Sequence, residues 1–142
     1  MVKTAAGLVI FRKYLSATQF LLLQTSYGEH HWTPPKGHVD PGETDPMITA
    51  LRETEEESGL TKSDFNVFPD SKHVLNYDVR GKPKVVIYWL AELTRDNAPV
   101  RLSNEHQDFK WLEIEDACVY GKYADMQEML RHFDNFINTN LK

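Results

Sequence analysis

The sequence has a single cysteine, Cys118, so no disulfide can form within the chain. That excludes a crosslinked secreted scaffold, fits a reducing compartment, and predicts a cytoplasmic protein. No apolar run approaches the roughly 20 residues that a membrane helix needs. The longest near the start, Ala5 to Phe11, is followed by Arg12-Lys13 rather than a small-residue cleavage site, so no signal peptide is expected. Basic charge is short as well. Sixteen Lys and Arg against 21 Asp and Glu leave a formal net charge of −5. Nonspecific duplex binding needs a basic face, so a stable nucleic-acid complex is not expected, whereas a nucleotide held by a few local cations is compatible. Internal repeats, low-complexity tracts and linkers are missing too. With 142 residues and 41% apolar content, the chain predicts one domain over residues 1–142 with a real core.

What is there centres on residues 37 to 60. Gly37-His38-Val39-Asp40-Pro41-Gly42-Glu43 reads as a glycine-rich turn, and a short helix follows with glutamate at 53, 55, 56 and 57. Pro46 suits the first helical position, and Asp45 before it can cap. Gly59 suits the left-handed residue just past the end. Residues i, i+3 and i+4 share a helix face, so Glu53, Glu56 and Glu57 fall within an arc of roughly 100° and Glu55 points elsewhere. Met47, Ala50, Leu51, Thr54 and Ser58 form the adjoining face, which can pack on a sheet.

Three carboxylates on one face repel each other. Alone, such a pattern most often marks a solvated acidic surface. Its sharper meaning is a site for hard divalent cations, because Mg²⁺ takes oxygen ligands and shares them with substrate phosphates.

The wider pattern resembles the Nudix family signature, G-x5-E-x7-R-E-U-x-E-E-x-G-U, where U is a bulky apolar residue. Gly37-x5-Glu43 matches, and so does Arg52-Glu53-Thr54-x-Glu56-Glu57-x-Gly59-Leu60. There are two departures. Thr54 is smaller and more polar than U usually is. Eight residues, Thr44 to Leu51, separate Glu43 from Arg52 where the family has seven, so the pairing of Glu43 with Arg52 is left open.

Outside this stretch, Lys3 to Lys13 and Gln19 to Thr25 read as strands joined by a short polar loop. Gly28 to Pro35 reads as loop. Asn66 to Val79 holds one or two strands, Arg80 to Pro83 a turn, and Lys84 to Leu93 the clearest strand. Arg95 to Glu105 reads as loop, Phe109 to Leu112 as a last strand, and Glu113 to Val119 as a short helix. Tyr123 to Asn138 is amphipathic, with Met126, Met129, Leu130, Phe133, Phe136 and Ile137 at helical spacing. Strands interspersed with helices predict an α/β chain with its sheet packed between helix layers. The resemblance makes this specific: a Nudix fold, an α/β/α sandwich on a mixed β-sheet.

Within the family, Trp32-Thr33-Pro34-Pro35-Lys36-Gly37-His38 is similar to the branch that hydrolyses diadenosine tetraphosphate. That resemblance implies that His31 and Lys36 contact substrate phosphates. Lys84 and Tyr88 lie four apart on a strand, on one sheet face. On their own they read as an edge strand with solvated side chains; by resemblance they also bind phosphate. Tyr77 and Tyr123 read alone as ordinary tyrosines, and by resemblance sandwich adenine. Ser103-Asn104-Glu105-His106, with Trp111 downstream, reads alone as a capped turn, and by resemblance supplies Glu105 to a metal site. His30, His31 and His38 without a nearby cysteine do not suit zinc.

The expectation is therefore a metal-dependent hydrolase that cuts diadenosine tetraphosphate asymmetrically into ATP and AMP, acting as a monomer on a small molecule. Mg²⁺ is the expected cofactor, with Mn²⁺ able to substitute. The implied ligands are Glu53, Glu56, Glu57, Glu105 and the Gly37 carbonyl, with Glu57 as the base and Arg52 beside it. Two other readings are compatible: a Nudix pyrophosphatase for capped RNA ends or diphosphoinositol phosphates, and a nucleotide sensor without catalysis. The acidic charge weighs against RNA, and the intact glutamate set weighs against the sensor.

Overall fold

A computed structural model describes residues 2–141. Strands β1 (Lys3–Tyr14) and β2 (Ala17–Thr25) form a hairpin. Leu15 and Ser16 between them both have positive φ, 49° and 70°, the twist that a two-residue hairpin turn requires. The turn is not wholly polar as expected, because Leu15 sits exposed at its tip. The stretch expected to be loop before the box contains a short strand, β3 (Trp32–Thr33), which pairs with β2. Gly37 likewise lies within a strand, β4 (Lys36–His38), rather than in a turn. β4 runs antiparallel to the start of β1, and the turn falls later, where the Glu43 N–H donates to the Asp40 carbonyl at 3.0 Å.

Helix α1 (Pro46–Ser58) begins and ends as its residues dictate. Asp45 Oδ1 accepts from the Met47 N–H at 3.0 Å, Pro46 occupies the first turn, and Gly59 closes the helix at φ 78°. Strand β5 (Phe65–Val67), a 3₁₀ turn (Pro69–Ser71) and β6 (His73–Val79) follow. Arg80 and Gly81, both at positive φ, make the next hairpin turn, and Lys82 and Pro83 already belong to β7 (Lys82–Leu93). β8 (His106–Leu112) starts three residues earlier than its apolar stretch suggests, because Thr25 on β2 pairs with His106. α2 (Ile114–Gly121) and α3 (Ala124–Asn140) complete the chain.

The strands form one mixed sheet in the order β3-β2-β1-β7-β5, with β4 on β1, β6 on β7 and β8 on β2. β1 and β7 are parallel, and the other pairs are antiparallel. Alternation along the strands divides two cores. Val9, Phe20, Val86 and Leu90 pack under α2 and α3 with Ala117, Met129, Leu130 and Phe133. Leu8, Ile10, Leu21 and Trp89 pack under α1 and the loops with Ala50, Leu60 and Ala98. This is the expected α/β/α sandwich.

One irregularity positions the site. β1 pairs with β4 over Ala5–Gly7 but with β2 over Phe11–Tyr14. The sheet therefore opens between β4 on one side and the β2–β8 pair on the other.

Candidate active site

Helix α1 lays Thr49, Ala50, Thr54 and Ser58 on the sheet and turns its glutamates toward the opening. Glu55 is exposed on the far side, as its helical phase requires. The Glu43–Arg52 pair forms despite the extra residue. Arg52 Nε donates to Glu43 Oε2 at 2.8 Å and Arg52 Nη2 to Glu43 Oε1 at 3.0 Å. Thr49 Oγ1 and the Asp40 N–H add bonds to the same carboxylate. The Arg52 hydrogen bond leads in holding Glu43 down at about 2.

The remaining Arg52 nitrogen reaches the glutamate face. Nη1 donates to Glu53 Oε2 at 2.8 Å and to Glu56 Oε1 at 3.2 Å. Glu57 is held differently. Its Oε1 accepts from the Lys36 N–H at 3.1 Å and lies 3.8 Å from His106 Nε2. The Glu57 carboxylate thus sits in the sheet opening, with β4 on one side and β8 on the other. Burial pushes its carboxyl up to about 7, and the charges of Glu53 and Glu105 add to the rise. Glu53 is also raised, first by burial, then by Glu56 and Glu105. Glu105 comes from the exposed loop before β8.

Gly37 faces this cluster. A methyl group at its Cα would overlap the Glu53 carboxylate, so the absence of a side chain is what lets α1 approach β4. Lys36 and His38, flanking Gly37, point to the other side of the sheet. Directly paired residues share a face, and Lys36 pairs with Gly7, which pairs with Tyr88. By the same logic Lys84 and Tyr88 share that face, as expected. Tyr88 is almost completely buried in the α3-side core, which fits a core ring more than an exposed phosphate ligand. Tyr77 pairs with Lys84, and its ring is partly exposed. Tyr123 precedes α3, and its ring lies 5.5 Å from that of His31, with the phenol oxygen 3.4 Å from His31 Nδ1. The structure brings Tyr123 to His31 and Tyr77 to Lys84.

The sequence reading gives His106 no role. It is buried, with Nδ1 3.3 Å from Ser103 Oγ and Nε2 toward Glu57. Its one sequence signal is its place after Glu105 in Ser103-Asn104-Glu105-His106.

As they stand, no three carboxylate or imidazole groups among the described residues converge at coordination distance. Glu53 and Glu56 instead share the Arg52 Nη1 donor. The donors nonetheless suit a hard divalent cation. They are carboxylate oxygens, crowded enough that burial and mutual repulsion raise Glu53 and Glu57, and a bound cation relieves that cost.

A glutamate-faced helix capped by Gly59, tied through Arg52 to Glu43 and packed over Gly37, is the architecture of one class of hydrolase. The NUDIX domain family matches residues 1–133, and the chain belongs to it. Nudix hydrolases use divalent metal cations. The chain is 53% identical to the asymmetrical bis(5'-nucleosyl)-tetraphosphatase of Caenorhabditis elegans, over 96% of this chain and 98% of that one. It is 49% identical to the mouse protein of the same name, over 96% and 97%. A crystal structure of a C. elegans Ap4A hydrolase binary complex superposes with a TM-score of 0.93 at 51% identity, covering 96% of this chain and 98% of that one.

Proposed function

We propose that this protein hydrolyses dinucleoside polyphosphates asymmetrically, taking diadenosine tetraphosphate and water to ATP and AMP. The observation that carries the reading is the double use of β4. One face presents Gly37 to Glu53, and the other presents Lys36 beside the row that holds Tyr88. In this reading β4 carries the carboxylate cluster against one face and a lysine for the phosphates on the other. The near full-length similarity to two proteins named for this reaction supports the same conclusion.

Glu53, Glu56, Glu57 and Glu105, with the Gly37 carbonyl oxygen, are the residues we assign to Mg²⁺, for which Mn²⁺ can substitute. The ions neutralise phosphate charge and lower the pKa of water when bound. Glu57 is the base. Its Oε1 is fixed by the Lys36 N–H, which leaves Oε2 to take a proton from water, whereas Glu53 and Glu56 both answer to Arg52. Lys36, Lys84, His31 and Tyr88 are assigned to the phosphates and Tyr77 and Tyr123 to adenine. Tyr88 is almost completely buried, hydroxyl included, so its contact with phosphate requires the core around the phenol oxygen to open.

With adenosine stacked at one end, water attacks the fourth phosphorus. A new P–O bond forms there, the bond to the third phosphate's bridging oxygen breaks, ATP leaves, and AMP carries the solvent oxygen. Fixing the chain of phosphates in line is where much of the rate gain arises. A monomer in a cytoplasmic setting is part of this reading, and the single buried cysteine supports the setting. Hydrolysis in ¹⁸O-labelled water followed by mass spectrometry tests the reading. Label in AMP is expected; label in ATP, or ADP as the product, overturns it.

A further inference from the structure

Strand register places one more cation beside those assigned above. β1 and β7 pair Lys3 with Lys84, and β6 and β7 pair Tyr77 with Lys84. Paired residues share a face, so Tyr77, Lys84 and Lys3 form one row across three strands. The assignment of faces is secured further along, where Leu75, Val86 and Ala5, the next residues on the same side, all lie in the α3-side core. Neighbouring strands are about 4.8 Å apart, so the stems of Lys3 and Lys84 start about 5 Å from each other. Lys36 sits two steps along the same face, about 13 Å of strand away, in the row of Gly7 and Tyr88.

These positive charges are uncompensated. Among the described residues no carboxylate lies within 4.0 Å of Lys3, Lys36 or Lys84, although the chain is acidic overall. Lys84 is lowered below its usual range first by burial, then by the charges of Lys36 and Lys3, so both lysines act on it. Like charges directly opposite on neighbouring strands are destabilising. Lysine on a sheet edge serves to block pairing, but Lys3 is paired with β7 on one side, and on the other β4 takes up pairing with β1 from Ala5. Lys3 also borders an open cleft of about 480 Å³ with Val2, Thr4, His38 and Val39.

We propose that Lys3 is a further polyphosphate-binding residue, sharing with Lys84 the phosphates nearest the adenosine stacked at Tyr77. The inference rests on the functional reading above. It extends that reading to a side chain on β1, far along the face from the glutamates. A contact remote from the reacting phosphorus acts on the bound ground state and the transition state alike, so Lys3 governs KM rather than kcat.

The test compares wild type, Lys3→Ala and Lys3→Arg by steady-state hydrolysis of diadenosine tetraphosphate, by calorimetric binding of a methylene-bridged nonhydrolysable analogue, and by thermal melting. Lys3→Ala is expected to raise KM and Kd about three- to tenfold, the range for one ion pair between exposed and part-buried. Its kcat should stay within twofold and its Tm unchanged, and Lys3→Arg should restore most of the affinity. A KM and Kd equal to those of wild type overturn the inference while leaving the function intact. A fall in kcat and Tm without a change in Kd assigns Lys3 a structural role and also overturns it. Wild type that neither cleaves nor binds overturns the functional reading itself, and the inference with it.

Discussion

Arg52 holds Glu43 with two nitrogens on two oxygens, at 2.8 and 3.0 Å, across a segment one residue longer than the Nudix signature allows. Asp45 caps the helix and the Glu43–Arg52 pair still forms, so the extra length leaves the glutamates in phase. The pair makes an acid-stability prediction. The Glu43 carboxyl is depressed from its ordinary 4.5 to about 2, chiefly by the Arg52 hydrogen bond. A group depressed in the folded state contributes stability that is complete above its unfolded pKa and is lost as pH falls through the folded one. Wild type should therefore lose Tm between about pH 4.5 and 2, and Glu43→Gln should show a shallower acid limb and a lower Tm at neutral pH. Melting curves across that range decide it, and identical acid limbs would sink the assignment.

Much of this was legible in the sequence because the signals were local. Asp45, Pro46 and Gly59 encode the ends of α1 by backbone geometry alone, and the spacing of Glu53, Glu56 and Glu57 encodes their common face. What could not be read depends on partners distant in sequence. Gly37 looked like a turn residue, yet it is in a strand because Ala6 pairs with it, and its missing side chain answers to Glu53. Lys3 joins Lys84 only through a parallel pairing of strands some eighty residues apart, which no local periodicity reports. The burial of Tyr88 and the capture of Glu53 and Glu56 by Arg52 are likewise outcomes of packing.

Glu57→Gln should separate chemistry from binding. Glutamine retains an acceptor for the Lys36 N–H, so the local fold has no reason to change. It cannot take a proton from water. Loss of a general base typically lowers rate by about 10²–10⁴-fold. The variant should therefore show kcat reduced on that scale with KM little altered, measured on diadenosine tetraphosphate. Wild-type kcat in this variant would remove Glu57 from the role of base.

Gly37→Ala tests whether β4 must lie flush against the helix. The added methyl would overlap the Glu53 carboxylate, so either Glu53 swings away or β4 shifts. Overpacking of this kind costs about 1–3 kcal/mol. The variant should fold, since that cost is a fraction of a typical domain's stability, and its circular dichroism should match wild type. Its activity should fall at least tenfold, and its dependence on divalent cation should move to higher concentration. Unchanged activity and unchanged cation dependence would show that Glu53 and Gly37 do not act together.

Thr54 carries the last prediction. It stands where the Nudix signature has a bulky apolar residue, and the structure shows why polarity there is costly. Its side chain is completely buried on the sheet side of α1, and its hydroxyl, alone among buried side-chain polar atoms of the described residues, has no hydrogen-bond partner. The neighbouring Ser58 hydroxyl bonds to the Thr54 carbonyl at 2.6 Å, not to its side chain. A buried polar group left unsatisfied costs about 1–3 kcal/mol. Thr54→Val replaces that hydroxyl with a methyl of similar size and keeps the β-branch, so helix propensity hardly changes. The variant should gain about 1 kcal/mol, which for a chain of this size raises Tm by about 2–4 °C. Its kcat should match wild type, because the side chain faces the sheet and the glutamates face the opening. Thermal and urea denaturation measure the effect. A variant less stable than wild type would mean that the hydroxyl has a partner in solution, and the cost assigned to it would be withdrawn.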